Sequence, residues 1–377
     1  MSTAHDNPYV VAVHECWSAV ENAWAPVLAA CKLTPLQSNA WLANWYGALA
    51  RAPGRSQLIL EVTERSNGQL AYLLPLVVVS RGKLTAIEFA DDGLTDYNMP
   101  IPGPAAAVSE AQAVLVCAAV LAALPGADLL HLDKMPSRSG TLPNPLACLP
   151  RVRPSLLAGH RIHMDEDYEQ WYRGLARKDR KDAGRSWRLF SAMQNSDFMR
   201  AHDVGTAQSV LDLIEHEQRR RLQPLGEAYR LDEKENGNFY RALVTHGDPA
   251  CQTIVTALTI DGTPIAGLLS LGSGTSCIML RVAFSEGPWE KAAPGRLLIE
   301  RTMRALHQDG YRTFDLGIGD YRYKRQFDPD RVALLAVTRS LSVRGLPHSS
   351  GVWAKAQVRK SPVIERWARR LKSYATG

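Results

Sequence analysis

The sequence predicts an α+β fold made of two similarly built domains. Hydrophobic patterns in residues 39–132 give a helix, a β-hairpin, a strand, a helix and a strand, and residues 167–317 repeat that order. Turn sequences mark both hairpins, Ser66-Asn67-Gly68 in the first half and Asp261-Gly262 in the second. A chain of 377 residues is also long for one compact unit. We therefore expect domains at residues 1–150 and 151–350, followed by an amphipathic helix at 351–377.

Local patterns define the elements of the first half. An aromatic-rich segment predicts the first helix, and runs rich in β-branched residues predict the strands. Residues 1–30 are interpreted as a peripheral strand and turn. Five prolines between positions 136 and 154 predict the crossing between the domains. The expected elements are a helix at 39–49, strands at 58–62, 70–79 and 84–89, a helix at 109–124 and a strand at 128–132.

The second half begins with helices and then alternates strands with one further helix. Pro294-Gly295 stands where this last helix must start, because proline is tolerated in the first turn. Leu298, Met303 and Leu306 recur at helical spacing and predict its buried face, and Gly310 is suited to the left-handed cap. The expected elements are helices at 167–190 and 207–222, strands at 253–260, 264–271 and 276–284, the helix beginning at 294, and a strand at 313–317.

Composition narrows the class of protein. The net charge of +6 and the pI near 9.0 favour anionic partners without choosing among a phosphate-bearing cofactor, nucleic acid and an acidic membrane surface. Basic residues concentrate at 173–188, 219–221 and 355–372. The sequence has no apolar run of about 18 residues, no secretory leader and no CxxC spacing among its six cysteines. We expect a cytoplasmic protein, with peripheral membrane contact through the basic helices left open.

Residues 291–327 are the most informative segment. Free backbone N–H groups at the start of a helix can face an anion, and here a short strand and a loop rich in Asp, Tyr, Arg and Lys follow that helix. This arrangement is typical of a cofactor-phosphate site beside a strand end, and it indicates a transferase. The histidines show no metal-ligand spacing, so no metal is expected.

Several strings resemble the GNAT acyltransferase superfamily over roughly residues 35–345. The closest likeness is the two-domain branch of CelD-type acetyltransferases of cellulose biosynthesis, which is related in architecture to the FemAB transferases. The strings are YLLPLVVV at 72–79, Asp96-Tyr97, LDKMP at 132–136, Asn144-Pro145-Leu146, LARKDRKDAGRSWRLF at 175–190, Pro294-Gly295 and FDLGIGDYRYKRQF at 314–327.

The resemblance implies tandem GNAT-like domains, each with a mixed, mostly antiparallel sheet flanked by helices. It implies that the first domain recognises the acceptor, whereas the second binds acetyl-CoA or another acyl-CoA and catalyses transfer. The superfamily binds the CoA pyrophosphate through backbone amides at a strand-to-helix loop. The matching residues here are Ala293, Pro294, Gly295, Arg296 and Leu297, and the usual glycine-rich signature is reduced to Gly295.

Acyl transfer needs a base for the acceptor proton and a donor for the oxyanion or the leaving thiolate. Asp320 is the first candidate for the base or for binding an acceptor ammonium group, and Glu286 is the second. Tyr323 is the candidate proton donor. Asp96 and Tyr97 are interpreted as acceptor recognition, and Lys324 as an anion contact in the substrate groove. The alternatives are that Asp320 only caps its loop, that Asp96 and Tyr97 form a structural turn and that Lys324 is a solvated surface residue.

No nucleophile motif is present, so direct attack on a thioester is preferred to a covalent intermediate. The leading hypothesis is an acyl-CoA-dependent N- or O-acyltransferase acting on a small molecule or on a glycan of the envelope or of an exopolysaccharide. The second is a FemAB-like transferase that uses aminoacyl-tRNA bound by the basic helices. The third is a non-catalytic, degenerate GNAT module.

Overall fold

The computed structural model describes residues 7–30, 34–223, 229, 232 and 234–350. The helix expected at 351–377 lies outside this part of the chain. The helices are α1 Glu21–Ala30, α2 Asn39–Ala48, α3 Glu110–Ala123, α4 Tyr168–Gly174, α5 Arg177–Ser191, α6 Val204–Leu222, α7 Lys234–Thr245 and α8 Pro294–Gln308.

Thirteen strands form one sheet within the described residues, and two short strands form a separate ribbon. The bounds in chain order are β1 Tyr9–His14, β2 Arg55–Glu64, β3 Leu70–Arg81, β4 Leu84–Phe89, β5 Ile101–Pro102, β6 Leu129–Pro136, β7 Arg138–Ser139, β8 Leu142–Pro143, β9 Arg153–His163, β10 Ser196–Arg200, β11 Gln252–Ile260, β12 Thr263–Ser273, β13 Ser276–Phe284, β14 Thr313–Ile318 and β15 Asp330–Ser340. The sheet order is β1-β2-β3-β4-β6-β15-β9-β14-β13-β12-β11-β10, with β5 beside β3 and β7-β8 as the ribbon.

The sheet is mixed and mostly antiparallel, as the sequence predicts. Its parallel pairs are β4 with β6 in the first half and β13 with β14 in the second, and both pairings are short. The strands of the second pair are in register over Ser276–Ile278 and Thr313–Asp315, and beyond that they separate. Each half therefore contains a wedge between two diverging parallel strands.

Two strands cross between the halves. The proline-rich segment leads into β9, which pairs with β14 of the second half. From the other end of the chain, β15 pairs with both β9 and β6. Neither strand was predicted from the sequence. The two halves consequently share one continuous sheet, and the division at residue 150 stays a prediction.

Helices cover both faces of the sheet. On one face α2, α6 and α7 contribute to a core shared by the two halves, where the rings of Trp41 and Phe239 meet edge to face at 4.7 Å. On the other face α3 packs over the first half, and α4, α5 and α8 pack over the second. None of the described helices has the length and apolarity needed to span a bilayer.

The structure confirms the predicted start and end of α8 and the second hairpin turn, but not every predicted helix. α8 starts at Pro294, and Gly310 has φ +94° just past its end. Asp261 and Gly262 have φ +49° and +72°, the two positive values that a tight hairpin turn requires. The helix predicted at 167–190 is instead two helices, α4 and α5, because Leu175 between them has an extended backbone with ψ 153°. Helices α1 and α7 and strand β10 were not predicted.

Candidate functional site

The candidate site lies at the wedge of the second half. Strand β13 carries a bulge there: Arg281 pairs with Leu269 and Met279 pairs with Ser270, so Leu280 is the extra residue. A bulge of this kind bends a strand and interrupts its ladder. It comes just beyond the last parallel pair, Ile278 with Asp315, and β13 then turns away from β14. Beyond that pair, the backbone groups of Gly317 and Ile318 in β14 bond to side chains of the protein instead of to β13.

Asp96 reaches this wedge from the loop that follows β4 in the other half. The loop is held by the Asp91 carboxylate, which accepts hydrogen bonds from Gly93 N–H at 2.9 Å and Thr95 N–H at 3.1 Å. The Asp96 carboxylate then accepts a bond from Ile318 N–H, at the end of β14, at 3.1 Å. The two halves of the chain therefore meet at a carboxylate.

The environment of Asp96 makes it able to accept a proton near neutral pH. Burial raises its pKa to about 6, and the nearby Asp315 adds to the rise, while the bond from Ile318 N–H and the charges of Lys134 and Lys324 oppose it. Gly317 makes the close approach possible. Its φ is +74°, and a Cβ there would lie 2.3 Å from Asp96 Oδ2 and 3.6 Å from the Met279 carbonyl oxygen. Asp96 thus lies against the end of β14, and Gly317 lies close to the Met279 carbonyl of β13.

Tyr97 and Asp315 fix the end of β14. The buried Tyr97 hydroxyl donates to Asp315 Oδ1 at 2.8 Å, and Gly317 N–H donates to the same oxygen at 2.8 Å. Arg161 Nε donates to Asp315 Oδ2 at 3.2 Å. Burial raises the pKa of Asp315, and Arg161 opposes that rise. Asp315 therefore accepts hydrogen bonds from the backbone, from Tyr97 and from Arg161.

Lys324 is buried, so the alternative of a solvated surface lysine is wrong. Its residue is 1% exposed, and Nζ donates to the carbonyl oxygens of Gly317 at 2.9 Å and Ile318 at 2.7 Å. Burial lowers its pKa to about 8, against the opposing charges of Asp96, Asp315 and Asp320. The ammonium group therefore holds the end of β14 through the last two carbonyl groups of the strand.

Asp320 and Tyr323 lie at the mouth of the wedge. The Asp320 side chain is 69% exposed, with Oδ1 3.7 Å from His160 Nε2 and 3.6 Å from Arg325 Nη2. Tyr323 is half-buried, and burial raises its pKa to about 12. Its ring stacks on that of Tyr321 at 6.1 Å. Both predicted catalytic residues are thus close to solvent rather than deep in the site.

Glu286, the second predicted base, lies apart from this group. Its side chain is 71% exposed and forms an ion pair with Arg220 at 2.9 Å. The hydrogen bond from that guanidinium lowers the Glu286 pKa. A carboxylate with a depressed pKa and a committed cation is a weaker proton acceptor than Asp96.

The five predicted phosphate-binding residues do form the start of α8. Ala293 is exposed with φ +49°, but its N–H already donates to the Glu290 carbonyl at 2.8 Å. Pro294 has no N–H, and Leu297 N–H donates to the Ala293 carbonyl at 3.0 Å. Helix geometry leaves Gly295 and Arg296 as the first-turn amides without an intrahelical acceptor. Their two N–H groups are the ones suited to a phosphate.

Sequence reasoning missed the contributions of His160, Arg161 and Tyr240. The histidine is buried beside Lys324, and burial lowers its pKa. Tyr240 is buried near Asp96, and burial is the main cause of its raised pKa. The residues GHRIH at 159–163 lack the strict alternation of a half-buried strand and follow a segment interpreted as a crossing, so β9 was not predicted.

The described residues contain no group of three or more His, Cys, Asp or Glu side chains placed to hold a metal ion. The described cysteines, at positions 16, 117, 148, 251 and 277, are free thiols.

Comparison with known proteins shows which family and which solved structures this chain is similar to. Residues 177–325 match the model of the Acetyltransferase (GNAT) domain family. The fold is GNAT-like. FemX has the same fold, with a TM-score of 0.57, 12% identity and coverage of 84% of this chain and 95% of FemX. L-PGS from Bacillus licheniformis aligns with a TM-score of 0.51, 11% identity and coverage of 89% and 97%.

A third solved structure is the C-terminal domain of a provisionally assigned lysylphosphatidylglycerol synthetase from Agrobacterium fabrum. It aligns with a TM-score of 0.50, 13% identity and coverage of 89% of this chain and 95% of that domain. At these identities the likeness concerns the fold alone. A search of proteins with curated functions gives no match to the sequence.

Proposed function

We propose that the protein transfers an acyl group from an acyl thioester such as acyl-CoA directly to an amine or hydroxyl acceptor. The observation that carries the proposal is that the wedge of the GNAT-like half ends on the half-buried side chain of Asp96 from the other half. A donor in the wedge and an acceptor at Asp96 would meet where β13 and β14 separate. The match of residues 177–325 to an acetyltransferase family supports the reaction class.

The bond changes follow from the groups present. The acceptor nitrogen or oxygen attacks the thioester carbonyl carbon, a C–N or C–O bond forms, the C–S bond breaks, and the thiol leaves. Asp96 takes the acceptor proton, because its pKa of about 6 leaves it ionised yet basic near pH 7. Tyr323, at the mouth, is the candidate donor to the departing thiolate.

An amine is the preferred acceptor. Three carboxylates, those of Asp96, Asp315 and Asp320, surround Lys324 at the strand end. Asp320 is 69% exposed, so its carboxylate can attract a cationic group approaching from solvent. Asp320 then serves to collect the acceptor ammonium and Asp96 to deprotonate it. A small molecule or a glycan carrying an amino group fits this chemistry, and a CelD-type role on such a glycan belongs to the same proposal.

The donor site can be tested at Ala293 without disturbing the fold. Ala293 is exposed and left-handed, a conformation that Asp and Asn tolerate better than Ala, and a carboxylate is favourable at a helix start. Ala293→Asp should therefore keep or raise the melting temperature of the unliganded protein. It should abolish the stabilisation given by acyl-CoA, because it places a negative charge beside the phosphates.

Ala293→Asn is the matched neutral control and should keep the acyl-CoA response. The measurement is the melting temperature with acetyl-CoA, longer acyl-CoAs and tRNA. If no acyl-CoA stabilises the wild-type protein, the hypothesis that the donor is an acyl-CoA is wrong. Stabilisation by tRNA in its place, lost at high salt, would identify the aminoacyl-tRNA alternative.

A further inference from the structure

Helix α5 presents a continuous basic surface to solvent. It contains six basic and two acidic side chains. At 3.6 residues per turn, five of the basic residues fall within an arc of roughly 100° and span about 16 Å along the axis. They are Arg177, Lys178, Lys181, Arg185 and Arg188, all exposed, and we call them the basic arc. Arg180 lies outside it and donates from Nε to the Leu175 carbonyl at 3.1 Å.

The basic arc carries uncompensated charge. Within the described part of the chain none of its five side chains forms an ion pair or a hydrogen bond with another residue. On the opposite side of α5, Phe190 and Ser186 are buried against the core. Some other surface cations of this half are paired, such as Arg304 with Glu169 and Arg312 with Glu166. Five adjacent unpaired cations repel one another, so an acidic partner would relieve that repulsion.

Helix α5 packs beside the start of α8 with the side that faces away from the arc. Arg296, in the first turn of α8, donates from Nη2 to the Asp179 carbonyl of α5 at 3.1 Å and from Nη1 to Gln326 at 3.1 Å. A macromolecule bound to the arc would therefore be separated from the predicted donor loop by the width of α5. An extended arm would have to pass around the start of α5 to reach Ala293.

The surface chemistry favours a protein over a membrane or a nucleic acid. The apolar face of α5 is packed on the core, so the helix has no apolar surface to bury in a bilayer. The arc contains no aromatic residue for base stacking. Trp187 lies away from it and is covered by the Arg301 guanidinium 3.7 Å from its ring. A straight, three-turn row of cations matches one acidic helix laid alongside.

We propose that the basic arc docks an acidic acyl carrier protein and that the thioester donor is carried on its phosphopantetheine arm. This inference deepens the acyl-transfer proposal and rests on it. An acyl-phosphopantetheine brings one phosphodiester to the start of α8, whereas CoA brings a pyrophosphate and a ribose phosphate. The loop offers the Gly295 and Arg296 amides, while the Ala293 amide is bonded within the loop and Pro294 has none. Two free N–H groups suit a single phosphate better than the larger set of phosphates that CoA carries.

The reaction on this donor is balanced. The acceptor amine attacks the carbonyl carbon of the carrier thioester, an amide C–N bond forms and the C–S bond breaks. Asp96 takes the amine proton, and the thiol of the phosphopantetheine leaves with a proton on the carrier. No oxidant, reductant or metal takes part.

The test reverses two charges in the arc. Lys181→Glu/Arg185→Glu is compared with Arg51→Glu/Lys83→Glu, which makes the same charge change at exposed positions of the first half. The probe is octanoyl-loaded, fluorescently labelled acyl carrier protein, with Kd measured by anisotropy and melting temperatures confirming the fold. We expect at least a tenfold weaker Kd for the arc variant and less than a twofold change for the control.

Turnover separates docking from catalysis. For the arc variant, kcat/KM should fall at least tenfold with octanoyl-carrier protein and stay within twofold with octanoyl-CoA. An unchanged carrier Kd overturns the docking inference. So does a loss confined to tRNA or to phosphatidylglycerol vesicles. Arc-dependent carrier binding with no transfer from either donor leaves the docking site standing and overturns the acyl-transfer proposal.

Discussion

At the scale of single residues, Asp96 has the clearest pH signature. Its pKa in the folded protein, about 6, exceeds the ordinary value of 3.8 for an aspartate, so the folded state holds its proton more tightly than the unfolded chain. The resulting stabilisation is complete below about pH 4 and is lost as the pH rises through 6. Asp96→Asn has no charge to bury. Its free energy of unfolding relative to wild type should therefore rise by about 1–3 kcal/mol between pH 4 and pH 7.

That difference is measured by urea denaturation at the two pH values. A constant difference between variant and wild type would mean that Asp96 does not titrate in this range.

The same substitution tests the catalytic assignment. The kcat/KM of the wild-type protein should rise with pH through about 6 as Asp96 ionises. Asp96→Asn should lose about 100-fold or more in kcat, the usual contribution of a general base. Asp320→Asn, at an exposed position, is the control, and it should change KM for the acceptor more than kcat. If Asp320→Asn instead removes the pH-dependent limb, the base is Asp320.

Tyr97 has a structural task that the sequence did not reveal. Tyr97→Phe removes the hydroxyl that donates to the buried Asp315 carboxylate, and it should cost about 1–3 kcal/mol of stability. Tyr321→Phe, at a position where the side chain is exposed, should stay within about 0.5 kcal/mol. Chemical denaturation of both variants gives the comparison. Equal values would show that the Tyr97–Asp315 bond contributes no net stability.

At the scale of elements, the end of β14 depends on the absence of a side chain at Gly317. Gly317→Ala should cost about 2–5 kcal/mol, because it combines left-handed strain with a contact 2.3 Å from Asp96 Oδ2. Gly68→Ala is the matched control: its φ is +69° and nothing lies within 4 Å of its Cβ. Strain alone should cost about 1–2 kcal/mol there.

A double-variant cycle locates the extra cost. Asp96→Ala should recover part of the loss in Gly317→Ala protein, with a coupling of about 0.5–3 kcal/mol in unfolding free energy. Additive effects would rule out a contact between the two positions.

The elements that the sequence predicted are those defined by nearest neighbours along the chain. α8 has its proline start, its apolar face and Gly310, and each is readable within 17 residues. β9 and β15 have no such signal, because their hydrogen bonds go to strands far away in the sequence. Strand pairing at that separation depends on tertiary context rather than on local propensity.

At the scale of the whole molecule, the two strands that cross between the halves, β9 and β15, and the shared core predict cooperative unfolding. β15 joins β6 to β9, and Trp41 of α2 packs on Phe239 of α7. Calorimetry should therefore show one transition with equal calorimetric and van't Hoff enthalpies. Leu60→Ala in the first half and Ile162→Ala in β9, both at buried positions, should lower the same transition. Two separable transitions, each sensitive to one variant, would support independent domains.

The residues of the candidate site could be named from the sequence, but their arrangement could not. The loop after β14 was identified from its side chains, and Asp96, Tyr97 and Lys324 were named as substrate contacts. Their mutual positions, and hence the preference for Asp96 over Asp320 and Glu286 as the base, required the fold. Asp96 and Ile318 are separated by 222 positions in the chain and are joined by one hydrogen bond.

The α+β class, the repeated order of elements, the start of α8 and the importance of residues 314–327 could be predicted from the sequence alone. These features depend on periodicity, turn residues and short-range motifs. The fold was needed to show that two strands cross between the halves, that Lys324 is buried and that Asp96 lies in the wedge of the other half. Burial and charge proximity set the pKa of Asp96 and Lys324, and both are properties of residues brought together from distant parts of the chain.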